Sequence, residues 1–322
     1  MTGTIRAGRK FAVVLSLDPL GDPSLPHDSL APSPLSVENC LAAIEECRAP
    51  IVSVTGGEPL QYPQIAELSR SILASGRHLF LHTNGLLIRR WLHMIPPETR
   101  FFWNIQLDGT EAFHDARYQQ PGLFAEALDG VKAAKNAGFF VIASTTVCPD
   151  TDPADVEALY DRLHSLHVDG YLLAPAYLSK AVCCNSSKKF HSDMKQKFRD
   201  LTARVGGYNL MMTPLYMEFL RGERELDCCV WASPTFGPRG WASPCSTLNH
   251  GYVRSYRDLI EKTVWENYGR GMNPKCETCM SADGYESAAL LGSNPKAGDL
   301  WKLLSWQFSG GLGERRNGGG RA

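Results

Sequence analysis

Short apolar runs alternate with longer amphipathic segments over the first half of the chain. The apolar runs, rich in Val, Ile, Leu and Phe, occupy residues 11–18, 51–55, 78–83, 101–108, 139–147 and 170–175. The segments with helical periodicity occupy residues 36–46, 63–74, 123–136 and 153–166. Continuous apolar runs are typical of parallel strands buried on both faces, and their alternation with helices predicts βα units around a parallel sheet.

Six such units are fewer than the eight that close a TIM barrel. We therefore predict an α/β fold, a partial (β/α)6 TIM-like barrel over residues 11–206, preceded by an N-terminal arm at residues 1–10. Residues 207–292 are rich in turns, Trp and Cys and predict a C-terminal extension. Residues 293–322 end in a Gly- and Arg-rich sequence and predict a largely disordered tail.

The composition, with 43% hydrophobic and 21% charged residues, is that of a soluble globular protein. The 33 basic and 34 acidic residues nearly cancel, which argues against nucleic acid and favours a small-molecule partner. Because the chain has neither a long apolar run nor a signal peptide, we expect no transmembrane segment and a cytoplasmic location. Nothing in the sequence indicates the oligomeric state.

A glycine-rich turn with one carboxylate follows the second predicted strand and consists of Gly56, Gly57, Glu58 and Pro59. This is the strand end at which βα folds bind their ligands. The glycines allow the backbone to approach a ligand closely, and Glu58 offers a carboxylate to a ligand ammonium group. The alternative interpretation is an ordinary connection between a strand and a helix.

Further polar groups follow the third and fourth strands, at the same end of the sheet. The candidates are His82, Thr83, Asn84, Gln106, Asp108, His114 and Arg117. At the end of the sixth strand, Leu173 and Pro175 offer an apolar wall and Tyr177 a phenol. A structural role is the alternative in each case, since Asn-Gly and Asp-Gly pairs are common turns and a lone histidine is often a core residue.

Four cysteines of the extension predict a metal site. Cys276 and Cys279 form a C-x-x-C pair, a spacing that lets two thiolates bind one metal, and Cys228 and Cys245 supply two further sulfurs. The candidate metals are Zn and an auxiliary iron–sulfur cluster, and Cys229 is a possible substitute for Cys228. The alternative is a set of reduced structural thiols.

Together these motifs resemble the radical S-adenosylmethionine (SAM) superfamily, and within it the adenosylhopane synthase family of hopanoid biosynthesis. The resemblance runs from about residue 11 to residue 286. It rests on the Gly56 to Leu60 motif, the Leu107-Asp108-Gly109, His114-Asp115 and Gly122 pattern, Trp231, Gly240-Trp241, Pro244-Cys245, and the segment around Cys276. It implies a barrel of the radical SAM type, SAM as cofactor, Gly56, Gly57 and Glu58 at its methionine part, and strands four to six at its ribose and adenine.

The chain departs from that superfamily where a C-x3-C-x2-C motif would hold a 4Fe-4S cluster, because residues 21–29 contain no cysteine. Iron–sulfur clusters depend on thiolate ligands, so we expect no radical SAM cluster. The sequence-based hypothesis is an enzyme that performs polar chemistry on the SAM sulfonium, as a non-radical transferase or lyase that acts on SAM alone or on a second substrate. The candidate bases are Asp108, His114, His82 and Tyr177.

Two other hypotheses remain open. The first is a catalytically inactive SAM-binding or regulatory paralogue. The second is a radical SAM adenosyltransferase whose cluster has unusual ligands, for which the replacement loop offers Asp22, His27 and Asp28.

Overall fold

The computed structural model describes residues 10–21, 33–176, 188–248, 250–292 and 295–309. The strands in these ranges are β1 Val14–Leu17, β2 Ile51–Val54, β3 His78–Thr83, β4 Phe101–Gln106, β5 Phe140–Val147, β6 Gly170–Pro175, β7 Thr235–Gly237, β8 Gly240–Ser243 and β9 Gly251–Val253. The helices are α1 Val37–Cys47, α2 Ile65–Ala74, α3 Ile88–Trp91, α4 Glu111–Tyr118, α5 Leu123–Asn136, α6 Pro153–Ser165, α7 Lys188–Val205, α8 Pro214–Leu220, α9 Tyr256–Lys262, α10 Ala282–Leu291 and α11 Asp299–Ser309.

The strands form one sheet in the order β6-β5-β4-β3-β2-β1-β7-β8-β9. Strands β1 to β6 pair in parallel with their sequence neighbours, as repeated βα units require. This confirms the predicted α/β fold class, and each of the six predicted strands is present. The predicted strands β1 and β4 are longer than the observed ones. Residues 11–13 lie before β1, and residues 107–108 lie after β4.

Each face of the parallel sheet has its own core. The outer face, which packs under the helices, carries fully buried side chains such as Leu15, Val52 and Trp103. At the amino-terminal half of the inner face, Phe102, Ile142 and Met211 form a separate apolar cluster. Polar side chains occupy the inner face beyond this cluster, towards the carboxyl ends of the strands, and they form the candidate site.

Local sequence signals account for the start of several helices. The hydroxyl of Ser36 accepts a hydrogen bond from the Asn39 backbone at 3.2 Å and so caps the start of α1. Asp152 caps α6 in the same way, and Pro153 follows at a position where a missing N–H costs little.

The C-terminal extension continues the same sheet, because β7 pairs in parallel with β1 and is followed by the antiparallel strands β8 and β9. Beyond it, α11 lies in a region predicted to be largely disordered. Its first residue, Asp299, receives two hydrogen bonds from the buried guanidinium of Arg224, at 2.5 and 3.0 Å. The predicted N-terminal arm up to residue 9 and the end of the predicted tail, residues 310–322, lie outside the described residues. Among the described helices, none is long and apolar enough to cross a membrane.

Candidate functional site

Glu58 lies at the centre of the site, just after β2, and only 9% of it is exposed. Its Oε1 accepts hydrogen bonds from the Leu60 backbone at 3.0 Å and from the Thr83 hydroxyl at 2.8 Å. Its Oε2 accepts one from the Asn84 backbone at 2.9 Å. A carboxylate has about four acceptor positions, so Glu58 keeps one of them for a ligand.

Gly56 brings two strand ends together. Its φ of +86° belongs to the left-handed region, and a Cβ at this position would lie 2.1 Å from Oδ1 of Asp18, the residue that follows β1. Gly56 therefore allows both the turn and the close approach of Asp18. Gly57 is exposed, whereas Pro59 is buried and begins the short 3-10 turn Pro59–Gln61.

A row of polar side chains crosses the inner face of the sheet beside Glu58. A ring nitrogen of His82 lies 2.8 Å from the Ser53 hydroxyl, and the Asn104 amide nitrogen lies 3.2 Å from Nδ1 of the same ring. Asn104 in turn accepts a hydrogen bond from Ser144. Burial lowers the pKa of His82 to about 4, so the imidazole is neutral near pH 7. Ser53, Asn104 and Ser144 were missed by the sequence analysis, although polar residues at alternate strand positions are a usable signal.

Asp108 is also buried, but its environment differs from that of Glu58. Its Oδ1 accepts hydrogen bonds from the Thr146 backbone at 2.7 Å and from Gln106. Its Oδ2 accepts one from the Tyr118 hydroxyl at 2.8 Å and lies 3.4 Å from Nε of Arg117. Three hydrogen bonds and the ion pair with Arg117 therefore already engage Asp108, which limits what it can accept from a ligand.

The side chains of His114 and Asp115, both on α4, bind the backbone of neighbouring loops. Nδ1 of His114 accepts a hydrogen bond from the Asp108 backbone at 3.2 Å, and burial lowers the pKa of His114. Asp115 accepts hydrogen bonds from the backbones of Gly122 and Phe124, at 2.5 and 2.8 Å, and so caps α5. These contacts show a structural role for both residues.

The predicted apolar wall is only partly in place. Leu173 belongs to the main core on the helix side of the sheet, whereas its neighbour Leu172 packs against the inner apolar cluster. The interpretation of Leu173 as a wall of the site was one position off, because adjacent strand residues point to opposite faces. Pro175 ends β6, and Tyr177 lies outside the described residues.

The four cysteines predicted to bind metal line one small cavity of about 30 Å³ in the C-terminal extension. Cys228, Cys245, Cys276 and Cys279 all contribute to its wall, whereas Cys229 does not. Across the described residues, no set of three or more Cys, His, Asp or Glu side chains is arranged as a site for one metal ion. The proximity of the four cysteines is thus observed, and their metal remains a prediction.

Comparison with protein families gives two matches, one in each half of the chain. Residues 24–163 match the profile of the radical SAM superfamily. Residues 172–303 match a family described as a domain of unknown function, DUF3463. The first match includes the Gly56 to Pro59 turn and the polar row, so the candidate site lies in the part of the chain that is similar to radical SAM proteins.

Curated relatives match part of the chain. It is 30% identical over 156 residues to the AdoMet-dependent heme synthase of Oleidesulfovibrio alaskensis, with 46% of this chain and 40% of that protein covered. It is 33% identical over 97 residues to the GTP 3',8-cyclase of Marinobacter nauticus, with 30% and 29% covered. The chain therefore spans about two fifths of the first relative and less of the second.

Solved structures share the fold. SuiB of Streptococcus suis superposes with a TM-score of 0.64 at 12% identity, covering 85% of this chain and 72% of that one. The protein anSMEcpe with bound AdoMet superposes with a TM-score of 0.56 at 13% identity, covering 92% and 93%. AdoMet is another abbreviation for SAM.

These comparisons overturn the hypothesis of cluster-less polar chemistry. The superfamily profile and the relatives named heme synthase and GTP cyclase indicate radical SAM function, so the prediction of a non-radical transferase or lyase is wrong. Membership of an enzyme superfamily is supported. The resemblance to the adenosylhopane synthase family stays a prediction.

The residues between β1 and α1 do not fit the three-thiolate cluster that this superfamily implies. The first cysteine of the sequence is Cys40, which lies within α1 and is fully buried. Burial raises the pKa of its thiol to about 12, so it is not a ready thiolate. The loop residues Asp22, His27 and Asp28 lie outside the described residues. That the chain holds no such cluster stays a prediction.

Proposed function

Because residues 24–163 are similar to radical SAM proteins, we propose that this chain is a SAM-binding enzyme of the radical SAM reaction class. The SAM site lies at the carboxyl ends of β2 to β5. The observation that carries the proposal is the remaining acceptor position of the buried carboxylate of Glu58.

Glu58 binds the ammonium group of the methionine part in this proposal. Its orientation is fixed before the ligand arrives, because Leu60, Thr83 and Asn84 each donate to it. Hydrogen bonds between a carboxylate and an ammonium group are charge-assisted and about twice as strong as neutral ones. Fixed orientation increases affinity because little side-chain entropy is lost on binding.

In this proposal the polar row on the inner face contacts the remaining part of SAM and the substrate. Gln106 follows it at the end of β4 and donates to the Thr146 hydroxyl at 2.9 Å. These neutral groups suit the hydroxyl and amine groups of an adenosine or of a polar substrate. The apolar cluster of Phe102, Ile142 and Met211 closes the inner face below them and keeps water out.

The segment between β1 and α1 has no cysteine and so does not fit the superfamily's cluster. The proposal assigns this chain's described residues to binding and orientation of SAM and substrate. The substrate itself is not indicated by the relatives, whose matches cover less than half of their length.

Replacement of Glu58 by Gln tests the SAM site. Gln keeps the size of the side chain but removes the charge, so we expect the Kd for SAM to rise roughly 10- to 100-fold, corresponding to one lost charge-assisted hydrogen bond. Isothermal titration calorimetry under anaerobic conditions gives the Kd.

Glu67→Gln is the matched control, since Glu67 is exposed on α2 and its change removes the same charge from the surface. The control should bind SAM as the wild type does. Equal affinity of the two variants would show that Glu58 is not the ammonium ligand.

The reaction class is tested by the products formed from SAM. Radical SAM function predicts 5′-deoxyadenosine, formed only in the presence of a low-potential reductant. Mass spectrometry after anaerobic incubation with and without reductant distinguishes the outcomes. Methylthioadenosine or S-adenosylhomocysteine, formed without reductant, would contradict the proposed class while leaving the SAM site intact.

A further inference from the structure

One face of helix α11 is fixed to the rest of the protein. Leu303 packs against the main core, and the indole of Trp306 donates to the carbonyl of Leu210 at 3.3 Å. Asp299, in the first turn, is paired with the buried guanidinium of Arg224. Because these contacts lie near both ends of the helix, α11 presents its other face in a fixed orientation.

The opposite face of α11 is apolar and exposed. An α-helix turns by about 100° per residue, which places Trp301, Leu304 and Phe308 opposite the side that packs on the protein. Trp301 is 74% and Phe308 79% exposed, and Leu300, at the edge of this face, is 71% exposed. These four residues are called the C-terminal apolar patch. A surface helix normally carries polar residues on its outward face, so the patch requires a partner.

The remaining segments of the chain are poorly suited to cover this patch. Residues 1–9 and 310–322 together contain only three large apolar residues, Met1, Ile5 and Leu312. Residues 22–32 and 177–187 follow the carboxyl ends of β1 and β6, whereas the Leu210 carbonyl that binds α11 lies beside Tyr171 at the amino end of β6. We therefore look for the partner outside the chain.

The sequence around the patch is mainly basic. Residues 295–322 contain five basic and two acidic residues, and the negative charge of one of the two, Asp299, is offset by Arg224. Three of the basic residues follow the helix, namely Arg315, Arg316 and Arg321. Trp, Phe and Leu on one helix face, with Lys and Arg nearby, are typical of helices that lie in the interface of an anionic membrane.

The area and the shape of the patch favour a lipid surface over a protein partner. At these exposures the four side chains present roughly 500 Å², whereas each partner of a standard protein interface buries about 800 Å². A helix is about 10–12 Å in diameter, and amphipathic helices bury their apolar face about 5–10 Å deep in a bilayer. Immersion of the outward half of α11 corresponds to this depth.

We propose that α11 binds the surface of an anionic lipid bilayer through the C-terminal apolar patch, with the arginines of residues 310–322 at the lipid phosphates. The helix lies in the plane of the interface, because its 11 residues extend only about 16 Å and the hydrocarbon core is about 30 Å thick. The candidate SAM site lies at the carboxyl ends of β2 to β5, away from this surface. The inference is independent of the function proposed for that site.

Flotation of the full chain with lipid vesicles tests the proposal. Phosphatidylcholine vesicles with about one third phosphatidylglycerol provide the anionic surface. We expect the wild type to float with them, and Trp301→Glu and Phe308→Glu each to lower the partition coefficient at least about tenfold. The matched control is Met272→Glu, which places the same charge at a 68% exposed methionine outside the patch and should float as the wild type does.

Replacement of Arg315 and Arg316 together by Glu tests the role of charge. Binding to the anionic vesicles should fall, whereas the weaker binding to vesicles of phosphatidylcholine alone should stay the same. Circular dichroism shows whether each variant is folded.

Two results of the flotation assay would overturn the proposal: a wild type that does not bind the anionic vesicles, or an equal loss of binding in Met272→Glu. Light scattering without vesicles tests the competing occupant, a second copy of the chain. A dimer that Trp301→Glu converts into a monomer would assign the patch to that second copy instead, and a monomeric wild type supports the lipid surface.

Discussion

Two buried carboxylates follow neighbouring strands of the candidate site, but their environments give them different capacities. Each carboxylate accepts three hydrogen bonds, but Asp108 also forms an ion pair with Arg117, whereas no ion pair of the described residues includes Glu58. Sequence alone placed both near a ligand. It did not distinguish the two, because the ion pair of Asp108 with Arg117 and its contacts with Tyr118 and the Thr146 backbone depend on tertiary structure.

The half-buried imidazole of His82 should make the stability of the protein depend on pH. Its pKa is about 4 in the folded state and 6.5 in the unfolded chain, so the unfolded state binds the proton first as the pH falls. Neutral His82 therefore makes its full contribution to the free energy of unfolding above pH 6.5, and this contribution is lost as the pH falls from 6.5 to 4. The difference corresponds to a loss of up to about 3 kcal/mol.

Urea titrations at several pH values check this expectation with His82→Gln, which cannot be protonated in this range. The free energy of unfolding should fall less steeply with acid in the variant than in the wild type. His93→Gln, at an exposed histidine, should follow the wild type. Parallel curves for His82→Gln and the wild type would show that this histidine is not held neutral by burial.

Among the elements, the turn after β3 depends on its contact with α5. Gly85, with a φ of +89°, lies in this turn directly after Asn84, whose backbone binds Glu58. The carbonyl of Gly85 lies so close to α5 that a Cβ on Gly130 would be 2.3 Å from its oxygen. Helix α5 therefore sets the position of one of the hydrogen-bond donors to Glu58 in the proposed SAM site.

Gly130→Ala should destabilise the fold despite the better helix propensity of Ala. The clash is with backbone rather than with a flexible side chain, so α5 or the turn must shift, and we expect a loss of about 1 to 3 kcal/mol. Urea denaturation measures it, and SAM affinity should fall as well. Gly207→Ala, where the added Cβ meets no atom within 4 Å, should change stability by less than about 0.5 kcal/mol. A higher free energy of unfolding for Gly130→Ala than for the wild type would show that α5 and the turn at Gly85 adjust to the added methyl group without cost.

The elements differ in how well the sequence predicted them. Strands β1 to β6 are apolar runs separated by segments in which apolar residues recur with helical periodicity. Both patterns depend only on residues that are near each other in the sequence. Strands β7, β8 and β9 have only three or four residues each and were not predicted. Such short strands carry no periodicity, and β7 is defined by its pairing with β1, which is distant in sequence.

At the scale of the whole molecule, the two family matches correspond to regions that share one sheet. The radical SAM match ends before β6, and the second match contains β7 to β9, which extend the sheet beside β1. The candidate SAM site and the four-cysteine cavity therefore belong to one continuous framework. The sequence indicated both sites, because each is marked by residues of characteristic chemistry. It did not indicate that the extension joins the barrel edge, since this depends on tertiary pairing.

The central claim is that Glu58 recognises the amino acid part of SAM. Calorimetric titration of the wild type and Glu58→Gln with SAM and with methylthioadenosine, which lacks that part, tests it most directly. The account predicts that the wild type binds SAM much more tightly than methylthioadenosine and that the ratio of the two affinities falls at least about tenfold in the variant. An unchanged ratio would contradict it.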